Sequence, residues 1–177
     1  MKKQILITLG LIAFVCVCRL VPHLNNFSPM IIVALFAGRF INERLAGAAV
    51  IASMLASDAL LSYFFGYPIF GTWSIFTYSA LLAILFVGMR LPKLENRFTL
   101  GLIAAIGSNL GFWIWTNFGV WTFSGLYHLQ WAGFVKCYLV AIPFLQHSTM
   151  SAMVWYLVLV AAMRTVGIYQ GATKAAA

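Results

Sequence analysis

From Leu45 to Phe65 the chain reads LAGAAVIASMLASDALLSYFF, an apolar run interrupted by a single charge, Asp58. About 20 consecutive apolar residues in a helix cross the hydrocarbon of a bilayer. Backbone amides at that depth have no water to bond, so the chain there is expected to be helical. Comparable runs recur along the chain, at about residues 5–20, 28–41, 72–89, 99–118 and 148–166. The fold expected is an all-α integral membrane protein, one domain over residues 1–177. It is a bundle of about six transmembrane helices with a short re-entrant or interfacial helix near 131–142.

Composition agrees with lipid as the solvent. Hydrophobic residues make up 63% and charged residues 8% of the chain, against about a quarter charged in a soluble domain. The mean hydropathy is +0.97. A net charge of +8 could invite nucleic acid, but the Lys and Arg residues stand singly between apolar runs. They form no basic face, so nucleic acid is not an expected partner.

Those charges set a topology instead. If Lys2 and Lys3 are cytoplasmic, six crossings place Arg39, Arg44, Arg90, Lys93, Arg97, Arg164 and Lys174 on the same side. Only Arg19 and Lys136 fall opposite, a clear positive-inside bias. Both termini are then expected in the cytoplasm of a bacterial cell, with the protein in the inner membrane. The first run has no small-residue cleavage site after it, so it reads as a retained helix rather than a signal peptide. The segments 25–29, 66–71 and 119–130 all fall on the outer face, where the polar residues of interest converge.

Asp58 is the one acid inside an expected span. Placing a charge there costs about 2.5–3.5 kcal/mol on insertion scales, so it is expected to face a partner or a cavity. It can contact a ligand, carry a proton, pair with Arg19, or sit protonated against an amide. Asn25, Asn26 and Ser28 precede Pro29, a pattern that caps a helix; two adjacent amides also suit a polar ligand. Trp113, Trp115, Thr116, Asn117, Phe118 and Trp121 form a second dense patch. An interfacial belt explains its indoles, while Asn117 and Asn109, about two turns apart, suggest a polar stripe toward the interior. The candidate ligand-binding residues are Asn25, Asn26, Asp58 and Asn117, with Lys136, with Trp115 and Trp121 as walls, and with Arg19 pairing Asp58 or meeting an anionic group.

No enzyme motif is present: no GxSxG elbow, HExxH helix, P-loop or dinucleotide fingerprint. Cys16, Cys18 and Cys137, with three scattered histidines, give no metal spacing, and no cofactor or disulfide is expected. His147 reads as a cap for a chain break at Pro143. The stripe Ala48, Ala52 and Ala56, and the pair Ala34 and Gly38, suit close helix approach, within the chain or against a partner.

Several strings resemble a known family. They are Pro29-x4-Ala34-Leu35-Phe36-Ala37-Gly38, Ser57-Asp58-Ala59-Leu60-Leu61, Thr116-Asn117-Phe118-Gly119-Val120-Trp121 and Cys137-Tyr138-x4-Pro143-Phe144. Over about residues 15–165 the chain resembles a family of small bacterial transport-type membrane proteins defined by a domain of unknown function (DUF6580). That family in turn resembles the S-components of energy-coupling factor (ECF) vitamin transporters. The resemblance implies uptake of a small vitamin-like or polar metabolite bound near the outer face. It also implies an ECF-type transmembrane subunit with ATPases as a possible partner. Where the family's last span opens with a Gly-Asp pair, this chain has Ser151-Ala152. Two other classes stay open: an assembly subunit of the envelope, and a proton-coupled carrier using Asp58.

Overall fold

Residues 2–21, 26–91 and 98–165 are described by a computed structural model, with side chains described from Gln4 onward. Among them the chain forms seven α-helices and no strand. They are α1 (Lys2–Leu20), α2 (Met30–Phe40), α3 (Glu43–Phe65), α4 (Thr72–Arg90), α5 (Phe98–Phe123), α6 (Trp131–Val140) and α7 (Ile142–Thr165). Four of them, α3, α4, α5 and α7, are long and apolar enough to cross a membrane. The apolar helices at Gln4–Leu20, Met30–Phe40 and Trp131–Val140 are shorter.

The bundle is built around α2. Its sequence, MIIVALFAGRF, is apolar on every side until Arg39, and every residue from Met30 to Gly38 is buried. A helix hydrophobic all round belongs in an interior, and α2 packs against α1, α3, α4, α5 and α7. At 11 residues it is about 16 Å long, far short of the roughly 30 Å of hydrocarbon. Neighbouring helices, not lipid, surround it.

Small residues let α2 and α4 touch. A Cβ added to Gly38 would overlap the backbone carbonyl of Leu85, and one added to Gly88 would overlap that of Leu35. The contact is reciprocal, backbone against backbone, and close packing of this kind is what joins helices where lipid removes the hydrophobic drive. Of the small-residue positions noted in the sequence, Ala34 and Gly38 are buried in this seam. Ala48, by contrast, is exposed, with Ala52 and Ala56 half-buried.

Local chemistry fixes several helix ends. The Asn42 side chain accepts a hydrogen bond from the Arg44 amide, 3.2 Å, opening α3, as an N-cap should. Gly66 closes α3 at φ 73°, donating its amide to the Ser62 carbonyl; glycine suits this left-handed position. Two expected boundaries move. The span expected to end near 118 continues to Phe123, because Gly119 carries the helix past the ring of Phe76, where a Cβ would not fit. The last helix opens at Ile142 rather than near 148. Pro143 therefore lies in its first turn, where its missing N–H costs nothing, and His147 is inside α7 rather than capping a break.

Candidate functional site

A cavity of about 520 Å³ lies at one end of the bundle. Every helix contributes to its wall: Arg19 from α1, Met30 and Ile31 from α2, Met54 from α3, Trp73, Thr77 and Leu81 from α4. The α5 wall runs from Phe112 to Val120, α6 gives Cys137 and Val140, and α7 gives Phe144 and Ser148. These are the C-terminal parts of α1 and α5 and the N-terminal parts of α2, α4 and α7. Successive long helices thus alternate in direction and bring their cavity-side ends together. The connection after α5 adds Leu126 and Tyr127, and Asn26 and Ser28 add the turn before α2.

Two elements fix the rim. Asn26 holds φ 63°, a left-handed conformation that asparagine tolerates better than other non-glycine residues. Part of its reason for being asparagine is therefore the turn itself. The loop after α5 is held against α6, since a Cβ on Gly133 would overlap the His128 carbonyl. The Trp121 indole donates to that same carbonyl, 3.1 Å.

Among the described residues, Arg19 is the one charged residue of the cavity wall. Its Nη1 stands 2.8 Å from Asp58 Oδ1, with the Arg19 side chain 20% and the Asp58 side chain 4% exposed. The same nitrogen donates to Ser57 Oγ at 2.5 Å, and Ser57 donates in turn to the Ser53 carbonyl. The second carboxylate oxygen of Asp58 accepts from Tyr78 Oη, 3.0 Å. Both oxygens are thus engaged, and α1, α3 and α4 are joined by one charged cluster. Asp58 itself does not line the cavity; its pairing with Arg19 is the structural alternative the sequence left open. A buried pair of this kind repays its desolvation only when the remaining polar atoms are satisfied. Tyr78 does that for the second carboxylate oxygen here.

Asn117 lines the cavity and uses its Nδ2 on its own helix, donating to the Trp113 carbonyl at 2.8 Å. Its amide oxygen makes no hydrogen bond among the described residues. Asn109 does not join it: buried, it donates to Thr149 Oγ1, 3.0 Å, tying α5 to α7. Ser151 and Ala152, which stand where the family resemblance implies a Gly-Asp pair, are both buried, and Ser151 donates to the Ser28 carbonyl, 3.0 Å. That bond anchors the turn before α2 to α7.

The indoles divide differently from the expectation. Trp73 and Trp113 line the cavity, the latter held by a bond from its Nε1 to the Ala141 carbonyl, 3.0 Å. Trp115 and Trp121 lie outside it. Trp115 donates to Ser79 Oγ, 2.9 Å, on the flank between α4 and α5. Trp121 packs on Phe118 and Phe134 and helps fasten α6 to α5. Lys136 is exposed on α6 and is not in the wall. Asn25 falls outside the described residues. Of the remaining expected site residues the cavity gathers Arg19, Asn26 and Asn117. Trp73, Thr77, Phe112, Tyr127 and Phe144 are wall residues that sequence reasoning missed. The spacing of Trp73 and Thr77, one turn apart just inside a helix start, was the available signal.

The apolar helices of membrane-spanning length and the polar-rimmed cavity at one end define an all-helical membrane protein. Its sequence matches the model of the family of unknown function DUF6580 over residues 1–174, and the chain belongs to that family. No curated protein and no solved structure matches it.

Proposed function

We propose that the chain is the substrate-binding part of a membrane transport system, resembling an ECF S-component and taking up a small vitamin-like or polar metabolite. The carrying observation is the cavity: about 520 Å³, within the size of small-molecule sites and mixing apolar walls with a few polar groups as such sites do. An assembly subunit has no need of such a space.

In this scheme the protein sits in a bacterial inner membrane with six crossings, by α1 to α5 and α7, and α6 lies at the outer surface. Both termini and nine of the eleven basic residues face the cytoplasm, and the cavity faces outward. The short α2 crosses only because other helices sheath it and the cavity occupies the depth above its first turn. Energy for release inward comes from an ECF-type transmembrane subunit with ATPases, since the chain itself has no nucleotide motif.

Native mass spectrometry of the protein, purified gently in detergent from its native host, tests this. A co-purifying small molecule that disappears in Asn117→Ala supports binding in the cavity. Protein that arrives empty, in company with envelope-assembly proteins, overturns it.

A further inference from the structure

Resting on that reading, we infer that the cavity takes a flat, ring-bearing molecule with an anionic group, a carboxylate or its equivalent, and rejects cations. The charge inventory carries the sign. The chain has three acids; the two among the described residues, Asp58 and Glu43, do not line the cavity, and Glu95 falls outside the described residues. Asp58, the acid beside it, has one oxygen on Arg19 and the other on Tyr78. Glu43 opens α3 at the other end of the bundle. A cation entering would lose its hydration with no counter-charge and with a guanidinium in the same wall, and an unpaired charge in so apolar a place is costly.

An anion meets the opposite situation. Arg19 spends Nη1 on Asp58 and Ser57, and its Nε and Nη2 have no partner among the described residues. A guanidinium presents its N–H groups as a planar fork that matches a carboxylate. Asp58 and Tyr78 act here as positioning residues, holding the fork from behind without touching the ligand. The first turn of α2 faces the same space through Met30 and Ile31, and a helix N-terminus adds a favourable field for negative charge.

The ring system follows from the rest of the wall. Trp73, Phe112, Trp113, Tyr127 and Phe144 surround the space, and stacked or edge-on aromatic contacts favour a flat partner. Such rings could also cage a quaternary ammonium, but an aromatic cage beside an Arg and without an acid works against that cation. Elsewhere in the wall Asn117, with its amide oxygen free among the described residues, and Thr77 read a polar edge.

The sign of the charge can be tested without disturbing the Arg19 cluster. Asn117→Asp is nearly isosteric at a half-buried cavity position and places a negative charge in the wall. The protein and this variant are purified from the native host, the bound small molecules are extracted, and their structures and charge are determined by mass spectrometry in both polarities. A flat anion bound near one per chain, and reduced at least tenfold in Asn117→Asp, is the expected result. A neutral or cationic molecule, or an anion that the variant retains, overturns this inference and leaves the binding reading standing. Wild-type protein that is empty overturns both. Thermal unfolding of the variant within a few degrees of wild type certifies that lost binding is not lost fold.

Discussion

The two ends of the α2–α4 pair differ as much as two contacts between the same helices can. At one end Gly38 and Gly88 bring the backbones together, each glycine against a carbonyl of the other helix. At the other, Met30 and Ile31 of α2 and Trp73, Thr77 and Leu81 of α4 stand around a cavity. The closed end is made from residues with no side chain, and the open end from residues with large ones. A bundle pinned at one end can hold space at the other without collapsing. What keeps the open end in shape is the Arg19–Asp58–Tyr78 cluster, which joins three helices there.

Three substitutions break or sharpen this contrast. The largest effect is expected at the open end: Asp58→Ala leaves a guanidinium and a phenol without their partner, and removing one member of a buried pair costs about 3–5 kcal/mol. Equilibrium unfolding in detergent measures it, and a loss under about 1 kcal/mol would mean that the cluster does not hold the helices. At the closed end, Gly88→Val forces a side chain into the Leu35 backbone and should cost about 3 kcal/mol. Because α2 also lines the cavity through Met30 and Ile31, any bound molecule should be lost when α2 is displaced. Tyr78→Phe is the mildest. It removes one hydrogen bond to a charged group, worth about 1.5–3 kcal/mol, and should leave the Gly38–Gly88 seam protected in hydrogen exchange while loosening α4 near Tyr78.

Much of this organisation was written in the residues themselves. Long uncharged runs announce helices in lipid, and Gly66-Tyr67-Pro68 marks a break that the structure realises with Gly66 in a left-handed conformation. Arg19 and Asp58 stood out because each is a lone charge in an apolar run, and the structure joins them. Tyr78 carried no such mark: a phenol in an apolar helix is ordinary until its partner is known. The indoles were visible, but not their directions. Trp113 and Trp115 are two residues apart, about 200° around a helix, so only one can face inward. On a helix apolar on nearly every side, only the Asn109–Asn117 stripe marks the inner face; Trp113, one turn before Asn117, lies along it and Trp115 does not. Gly119 misled for a similar reason, since a glycine among aromatics reads as a turn until the ring of Phe76 is found against it.

The enclosure of α2 bears on how the chain is made. A helix of 11 residues leaving the insertion machinery alone would offer lipid too little length to hold it across the bilayer. Its place depends on α4, whose Gly88 is synthesised some fifty residues after Gly38. On the six-crossing topology proposed above, α2 waits until then at the surface or in the machinery, and α3 waits with it. That topology makes biogenesis a concerted event rather than a succession of independent insertions. A topology reporter fused directly after Ile41 would record the position of an orphaned segment, not the one it occupies in the finished molecule.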